Sequence, residues 1–321
     1  MAIPTKQLSN GAAMPVIGLG TWQSKPGEVA QAVKTSLKTG YRHIDCASNY
    51  LNEHEIGDAL KEVFDEGQIR REDVFITGKL NNPYHRKEHV KPHLMKTLKD
   101  LKVGYLDLWL MHWPIAFKYV AFDSNKVGLD AYERSPDDSA NGANIDYGVS
   151  IRETWEAMEE CHREGLVRAI GVSNFSAVLL YDLMTYAKIK PAVNQVESHP
   201  YLQQKALLNY MTKLGIVYVA YSPLGTSGFA GKDEPRVLDD PVLKAIAQKH
   251  QKSVATICLR WAVQRGTICI PKSVHAERIK SNIDIFGFQV DDDDMKKIAG
   301  VDKNHHYLRP NDWYGIPVFT P

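Results

Sequence analysis

Four side chains of this 321-residue chain could together protonate an oxygen: Asp45, Tyr50, Lys79 and His112. A tyrosine is a weak acid, with a pKa near ~10 in water, and donates poorly at neutral pH unless a neighbouring cation stabilises its anion. Lys79 can be that cation, Asp45 can hold the lysine, and His112 can donate a hydrogen bond to the same substrate oxygen. Such a set suits protonation of a carbonyl oxygen while hydride reaches its carbon. Each residue alone has an ordinary explanation, a structural Asp45–Lys79 ion pair or a satisfied core histidine at His112. Four complementary groups at neighbouring strand ends favour chemistry.

The elements that must position them are eight short apolar runs: Val16 to Leu19, His43 to Ile44, Val74 to Thr77, Leu106 to Met111, Val167 to Gly171, Ala192 to Val196, Ile216 to Ala220 and Thr267 to Ile270. Helical periodicity fills most gaps, as in Glu28 to Leu37, where Val29, Val33 and Leu37 share a face, and again in Glu53 to Val63 and Val90 to Leu101. Strands alternating with helices predict an α/β fold, a parallel (β/α)8 TIM barrel whose active site lies at the C-terminal strand ends. One domain over residues 1–321 accommodates it, since such barrels commonly reach ~250 residues or more. Lys6 to Leu8 and Ala13 to Ile17 flank Ser9-Asn10-Gly11, predicting an N-terminal β-hairpin that covers one end of the barrel.

Long loops on the C-terminal face interrupt the rhythm twice. One separates His112 from a helix at Ser150 to His162, and the other, Pro223 to Glu234, carries Gly225, Gly228 and Gly231. Loops this long are usually functional, so both are expected to border the site. The tail from Asp302 holds Trp313, Tyr314 and Phe319 and is expected to pack aromatic rings across a pocket. Asp291 to Asp294 reads as a helix N-terminus complementing its dipole, and His305-His306 as surface decoration.

A formal net charge of +1 supplies no broad field for nucleic acid or an anionic membrane, so the expected partner is a small molecule. The cysteines Cys46, Cys161, Cys258 and Cys269 show no zinc or C-x-x-C spacing, and no apolar stretch approaches the ~20 residues of a membrane span. A reducing compartment, the cytoplasm, is the expectation. Gly18-Leu19-Gly20 lacks the third glycine of a dinucleotide fingerprint. With H-E-x-x-H, G-x-S-x-G and P-loop patterns missing too, no metal site is expected.

Through Met14 to Trp22, Gly40 to Asp45, Ile170 to Phe175, Gln195 to Tyr201 and Ile270 to Ser273, the chain resembles an aldo-keto reductase of the aldose and xylose reductase type. These stretches are highly specific as a set. The resemblance implies an NADPH-dependent oxidoreductase, monomer or homodimer, with Tyr50 as general acid, Asp45 and Lys79 tuning it, and His112 orienting the carbonyl. It implies cofactor contacts at Gly20, Thr21 and Trp22. Ser173, Asn174 and Gln195 would meet the carboxamide, Tyr221 the nicotinamide face, and Ser222, Leu224 and Ser227 the pyrophosphate. Lys272, Ser273 and Arg278, with Val274 beside them, fall at the adenosine 2′-phosphate, and Asn282 at the adenine. Independently, a strand-end lysine with an arginine one or two helical turns later suits a phosphate monoester, although such pairs also serve as solvated surface. Ser281 stands where many relatives carry Glu or Gln, and a glutamate that some place near Gly231 for NADH is missing. NADPH is therefore favoured, with weaker use of NADH through Asp233 or Glu234 left open.

By the same resemblance Trp22, Trp113, Phe117 and Trp313 line the substrate pocket, and Asn311 contacts a sugar hydroxyl. For Phe117 ordinary core packing competes closely. Asn49 beside Tyr50, and Asn81 after Lys79, replace more apolar residues and imply a polar pocket. Reduction of aldehydes and aldoses to alcohols or polyols is the first reading. General aldehyde clearance and sugar-phosphate reduction are alternatives, and a steroid carbonyl is disfavoured. An NADPH-binding sensor or scaffold remains the non-enzymatic alternative.

Overall fold

A computed structural model describes residues 3–122, 145–226, 231, 233–310 and 315–319. The chain opens with β1 (Thr5–Gln7) and β2 (Ala13–Pro15), an antiparallel pair in which Lys6 opposes Met14. Gly11 turns this hairpin at φ 83°, a left-handed conformation that a Cβ disfavours.

Eight parallel strands follow: β3 (Leu19–Gly20), β4 (His43–Asp45), β5 (Phe75–Leu80), β6 (Leu108–Met111), β7 (Ile170–Ser173), β8 (Val193–Glu197), β9 (Val217–Tyr221) and β10 (Ile268–Cys269). Each pairs with the next, and the two ends meet through bridges of Ile17 to Cys269 and Gly20 to Lys272. Gly18 N donates to Cys269 O and Gly20 N to Pro271 O, both at 3.0 Å, so the sheet curls shut as the predicted barrel. Helices α1 (Glu28–Lys38), α2 (Glu53–Asp65), α3 (Lys87–Asp100), α4 (Ile151–Arg163), α5 (Ala177–Tyr186) and α6 (Lys205–Leu214) alternate with strands. The chain passes through α7 (Pro241–Lys249) and α8 (Val254–Gln264) before β10, and through α9 (Ala276–Ile283) and α10 (Asp292–Ala299) after it.

Local chemistry sets these boundaries. Ser150, Ser176 and Ser253 accept from backbone N–H groups in the first turns of α4, α5 and α8, and Asp240 does so ahead of Pro241 in α7. Asp291 caps α10, as its acidic run suggested. Strand ends match the apolar runs less closely, because the strands are buried on both faces and hydropathy does not mark where pairing stops. Lys79 accordingly lies inside β5, fully buried, rather than beyond its end.

The core has two layers. Between strands and helices lies the larger one, which takes Val29, Val33 and Leu37 of α1 and Ile56, Leu60 and Val63 of α2. Inside the barrel, Phe75, Leu108, Val193, Val217 and Ile268 fill the N-terminal end, and Leu8 and Met14 from the hairpin segment pack onto them. The hairpin thus plugs the end opposite the chemistry, and burying each of these side chains contributes about 1.5–3 kcal/mol. All four cysteines are buried and free. No helix among the described residues is long and apolar enough to cross a membrane.

The α2–α3 contact is tight enough to test. A Cβ on Gly57 would stand 2.1 Å from the carbonyl oxygen of Asp100. Gly57→Ala should destabilise the protein by about 1–3 kcal/mol or more through overpacking, despite the better helix propensity of alanine, and urea unfolding will measure it. Beside it, Glu53 is 3% exposed and accepts from Thr97 Oγ1 at 3.2 Å. Burial, then the charge of Asp100, push its carboxyl up to about 8. A folded pKa above the unfolded ~4.3 favours folding at low pH and loses that advantage as pH rises toward 8. Between pH 5 and 8 wild type should therefore lose stability relative to Glu53→Gln; parallel pH profiles of the two would contradict the assignment.

Candidate active site

The barrel mouth is organised around one buried cation. Asp45 ends β4 and Lys79 lies beside it on β5, where Lys79 Nζ donates to Asp45 Oδ1 at 2.5 Å, to Cys46 O at 3.0 Å and to Tyr50 Oη at 3.2 Å. Lysine and aspartate are each 1% exposed or less. The second Asp45 oxygen accepts from Gln195 Nε2 at 2.7 Å. Gln195 belongs to β8, four strands away around the barrel, so this bond crosses the interior. Tyr50 sits on a short turn after β4, and its ring meets that of His112 edge-on, with centroids 5.8 Å apart. His112 follows β6, held there by its own N–H donating to Leu80 O and by Asn174 Nδ2 donating to its carbonyl at 2.9 Å. The four residues proposed from sequence therefore converge.

Their electrostatics differ from the sequence expectation in one respect. Burial raises the Tyr50 hydroxyl to about 12, and the opposing charge and hydrogen bond of Lys79 reduce that rise without reversing it. Burial works to deprotonate Lys79, but Asp45 and Tyr50 prevail and raise its pKa. The His112 ring is held well below its ordinary range by burial and then by Lys79, so it is neutral. At neutral pH the mouth thus contains a protonated phenol, a neutral imidazole and a paired ammonium.

Asp45, Tyr50 and His112 line one end of a cavity of about 1080 Å³ that runs to Lys272, Ser273, Val274, Arg278 and Asn282, with Lys79 buried behind them. Gly20, Thr21, Trp22, Asn49, Trp113, Ser173, Asn174, Tyr221, Ser222 and Leu224 also face it. Asn174 and Ser222 adopt left-handed backbone, at φ 65° and 50°. Tyr221 Oη donates to Asn174 Oδ1 at 2.8 Å, and Ser173 Oγ to Gln195 O at 2.7 Å, so the polar side chains hold one another in register. Asn49 Oδ1 is buried and has no hydrogen-bond partner among the described residues. At the far end Lys272 Nζ donates to Gln23 O at 3.1 Å, and the exposed Arg278 has no carboxylate partner among the described residues.

Some expectations need correction. Phe117 packs with Trp113 and Ile115 in an apolar cluster and is not among the cavity-lining residues, because its loop pairs Phe117 with Ile145. Asn81 bonds the backbone N–H of Asn82 and lines a separate small cavity, so it does not make the main pocket polar. The Gly18-Leu19-Gly20 glycines serve barrel closure: a Cβ on Gly18 would strike the His43 ring at 2.4 Å, and one on Gly20 would lie 2.9 Å from Ile270 O. Ser227, Asn311 and Trp313 lie outside the described residues. Sequence reading missed Leu238, Ser253, Ala255 and Leu308 in the lining. Ser253 carries a helix-cap signature that gives no hint of a cavity, and the others are brought in by long-range packing.

The chain matches the Aldo/keto reductase family over residues 16–303. It is 49% identical over 314 residues to aldose reductase C of Dictyostelium discoideum, covering 98% of this chain and 94% of that protein. Identity to human aldo-keto reductase family 1 member A1 is 45%, over 97% of this chain and 93% of the relative. The solved aldose reductase of Schistosoma japonicum superposes with a TM-score of 0.86 at 37% identity, covering 98% of this chain and 97% of that one. Because the match spans every barrel strand and nearly all of the cavity lining, at such identity, the chain belongs to the aldo/keto reductase family.

Proposed function

We propose that the protein reduces aldehydes, aldoses among them, to alcohols with NADPH, using Tyr50 as the general acid. The observation that carries this reading is the buried Asp45–Lys79–Tyr50 chain with His112 across from it, at one end of a cavity that ends in two cations. The donor set suits a phosphorylated dinucleotide. Amide and hydroxyl side chains at Ser173, Asn174 and Gln195 match a carboxamide, Tyr221 offers a ring face, and Lys272 and Arg278 match a phosphate monoester. Bound there, NADPH would supply the hydride.

The chain's own residues account for the proton. As negative charge grows on the substrate oxygen, Tyr50 donates its hydroxyl proton to it, an alkoxide being a stronger base than a phenolate. Lys79, still charged, stabilises the phenolate left behind, and Asp45 with Gln195 prevents the lysine from swinging away. Neutral His112 supplies an N–H to the same oxygen without giving up its proton, which fixes the carbonyl and favours the charged transition state. The unpartnered Asn49 Oδ1 offers an acceptor for a substrate hydroxyl and supports aldoses. The indoles of Trp22 and Trp113 on the same cavity support less polar aldehydes as a second substrate class. Four free buried cysteines are in keeping with the reducing cytoplasm.

Tyr50→Phe should lower kcat/KM for glyceraldehyde and xylose by about 10²–10⁴, with NADPH affinity within about twofold of wild type. Fluorescence titration of the cofactor beside NADPH oxidation will separate the two, and NADPH binding by a wild-type protein without turnover would point instead to a sensor. Removing the phosphate clamp has a different signature. Arg278→Ala should weaken NADPH about tenfold or more while leaving NADH nearly unchanged, since only NADPH carries the 2′-phosphate. Equal losses for both cofactors would remove Arg278 from that role.

A further inference from the structure

Glu197, the last residue of β8, carries a buried charge that the proton chemistry does not use. It is fully buried, and its two oxygens accept from His199 Nε2 at 3.2 Å, His306 Nδ1 at 3.1 Å, Tyr307 N at 2.9 Å and Leu308 N at 3.4 Å. Burial works against the carboxylate, but the bonds from His199 and His306 outweigh it and hold the pKa at about 2. Three of these donors belong to one short stretch, 306–308, so an ionised barrel residue ties down the start of the C-terminal tail. His305-His306 is therefore no surface decoration.

That stretch reaches the cavity at two points. Leu308 lines it directly. His306 stacks on Phe319, with centroids 4.4 Å apart and planes 9° from parallel, and Phe319 in turn packs on Trp113 at 6.0 Å. Ile316 and Val318 join the same apolar cluster behind Trp113. Glu197 itself is not among the lining residues, so any influence on the pocket must pass through the tail.

We infer that Glu197 is a positioning residue that fixes the outer substrate wall, Leu308 and Trp113, by clamping residues 306–308 onto the barrel, and thereby sets which carbonyl compounds are accepted by what lies beyond their aldehyde carbon. The inference rests on the reductase reading. A substrate as small as glyceraldehyde can be held by Tyr50 and His112 without touching this wall, whereas an aromatic aldehyde must lie against it. Loss of a buried charged acceptor should act on the second and spare the first.

The test uses the full-length protein as Glu197→Gln and, as a milder lesion at a partly exposed position, His306→Ala. Amide hydrogen exchange at residues 305–309 reports the clamp, and kcat and KM for glyceraldehyde and 4-nitrobenzaldehyde report the wall. Glu197→Gln should lose protection at Tyr307 and Leu308 and raise KM for the aromatic aldehyde about tenfold. Its glyceraldehyde kcat and NADPH affinity should stay within about twofold of wild type, and His306→Ala should shift the aromatic KM in the same direction by less. Equal changes for both aldehydes, or lost protection with unchanged selectivity, would overturn the inference. Retained protection in both variants would overturn the clamp. A wild-type protein that reduces neither aldehyde overturns the reductase reading instead, and the exchange measurement still decides whether Glu197 holds the tail.

Discussion

A fully buried ammonium is stable only if a carboxylate lies in contact and its remaining protons find acceptors, because desolvating an unpaired charge costs several kcal/mol. Lys79 imposes that requirement on the barrel mouth. Asp45 must end β4 beside it, Cys46 must present its carbonyl and Tyr50 must turn back over the strand end, so three successive features of one segment are placed by a single charge on the neighbouring strand. Asp45 then has one oxygen left, and Gln195 reaches across the barrel to bond it. The carbonyl of Asp45 accepts from Thr21 Oγ1 at 2.8 Å, and Asn52 Nδ2 donates to Thr21 O at 2.9 Å. Strands β4, β5 and β8 and the segments after β3 and β4 thus share one network, and truncating any member would leave a buried polar group without its partner.

The same burial assigns different states to neighbouring groups. Water exclusion favours neutral forms, so Tyr50 keeps its proton and His112 stays uncharged, while Lys79 remains a cation because its counterion is fixed beside it. Environments that push titratable groups apart in this way assign acid and electrophile roles within one site. In the reaction proposed above the acid is a phenol, whose proton would be released only when a strongly basic oxygen forms against it.

Much of this was legible in the sequence for a definite reason. Charged and hydroxyl residues at the ends of apolar runs are costly unless strand ends converge, and in a parallel barrel they do, so Asp45, Tyr50, Lys79 and His112 could be gathered without coordinates. Helices with an Asp or Ser cap and a regular apolar face were equally readable. Phe117 and Asn81 were not, since their surroundings depend on how the loops after β5 and β6 pack, which no periodicity encodes. The net direction of the Tyr50 shift escaped for a related reason: the lysine was visible in the sequence, the depth of burial was not. Leu308 and the His306 contact were hidden furthest, because the tail touches β8 across more than a hundred residues of chain.

Two buried carboxylates near the barrel mouth raise the alternative of sugar hydrolysis, which needs one carboxylic acid and one carboxylate facing each other across the bond to be cut. Their partners argue otherwise. Asp45 has both oxygens committed, to Lys79 and Gln195, and cannot attack or receive a proton without stranding the ammonium. Glu197 is saturated by His199, His306 and two backbone N–H groups, and its depressed pKa leaves it no proton to give. With both carboxylates spent on holding other groups, Tyr50 stays the proposed proton donor, and what a tyrosine at about 12 can protonate is an oxygen acquiring a full negative charge. Hydride addition to a carbonyl creates such an oxygen, and cleavage of a neutral glycosidic bond does not.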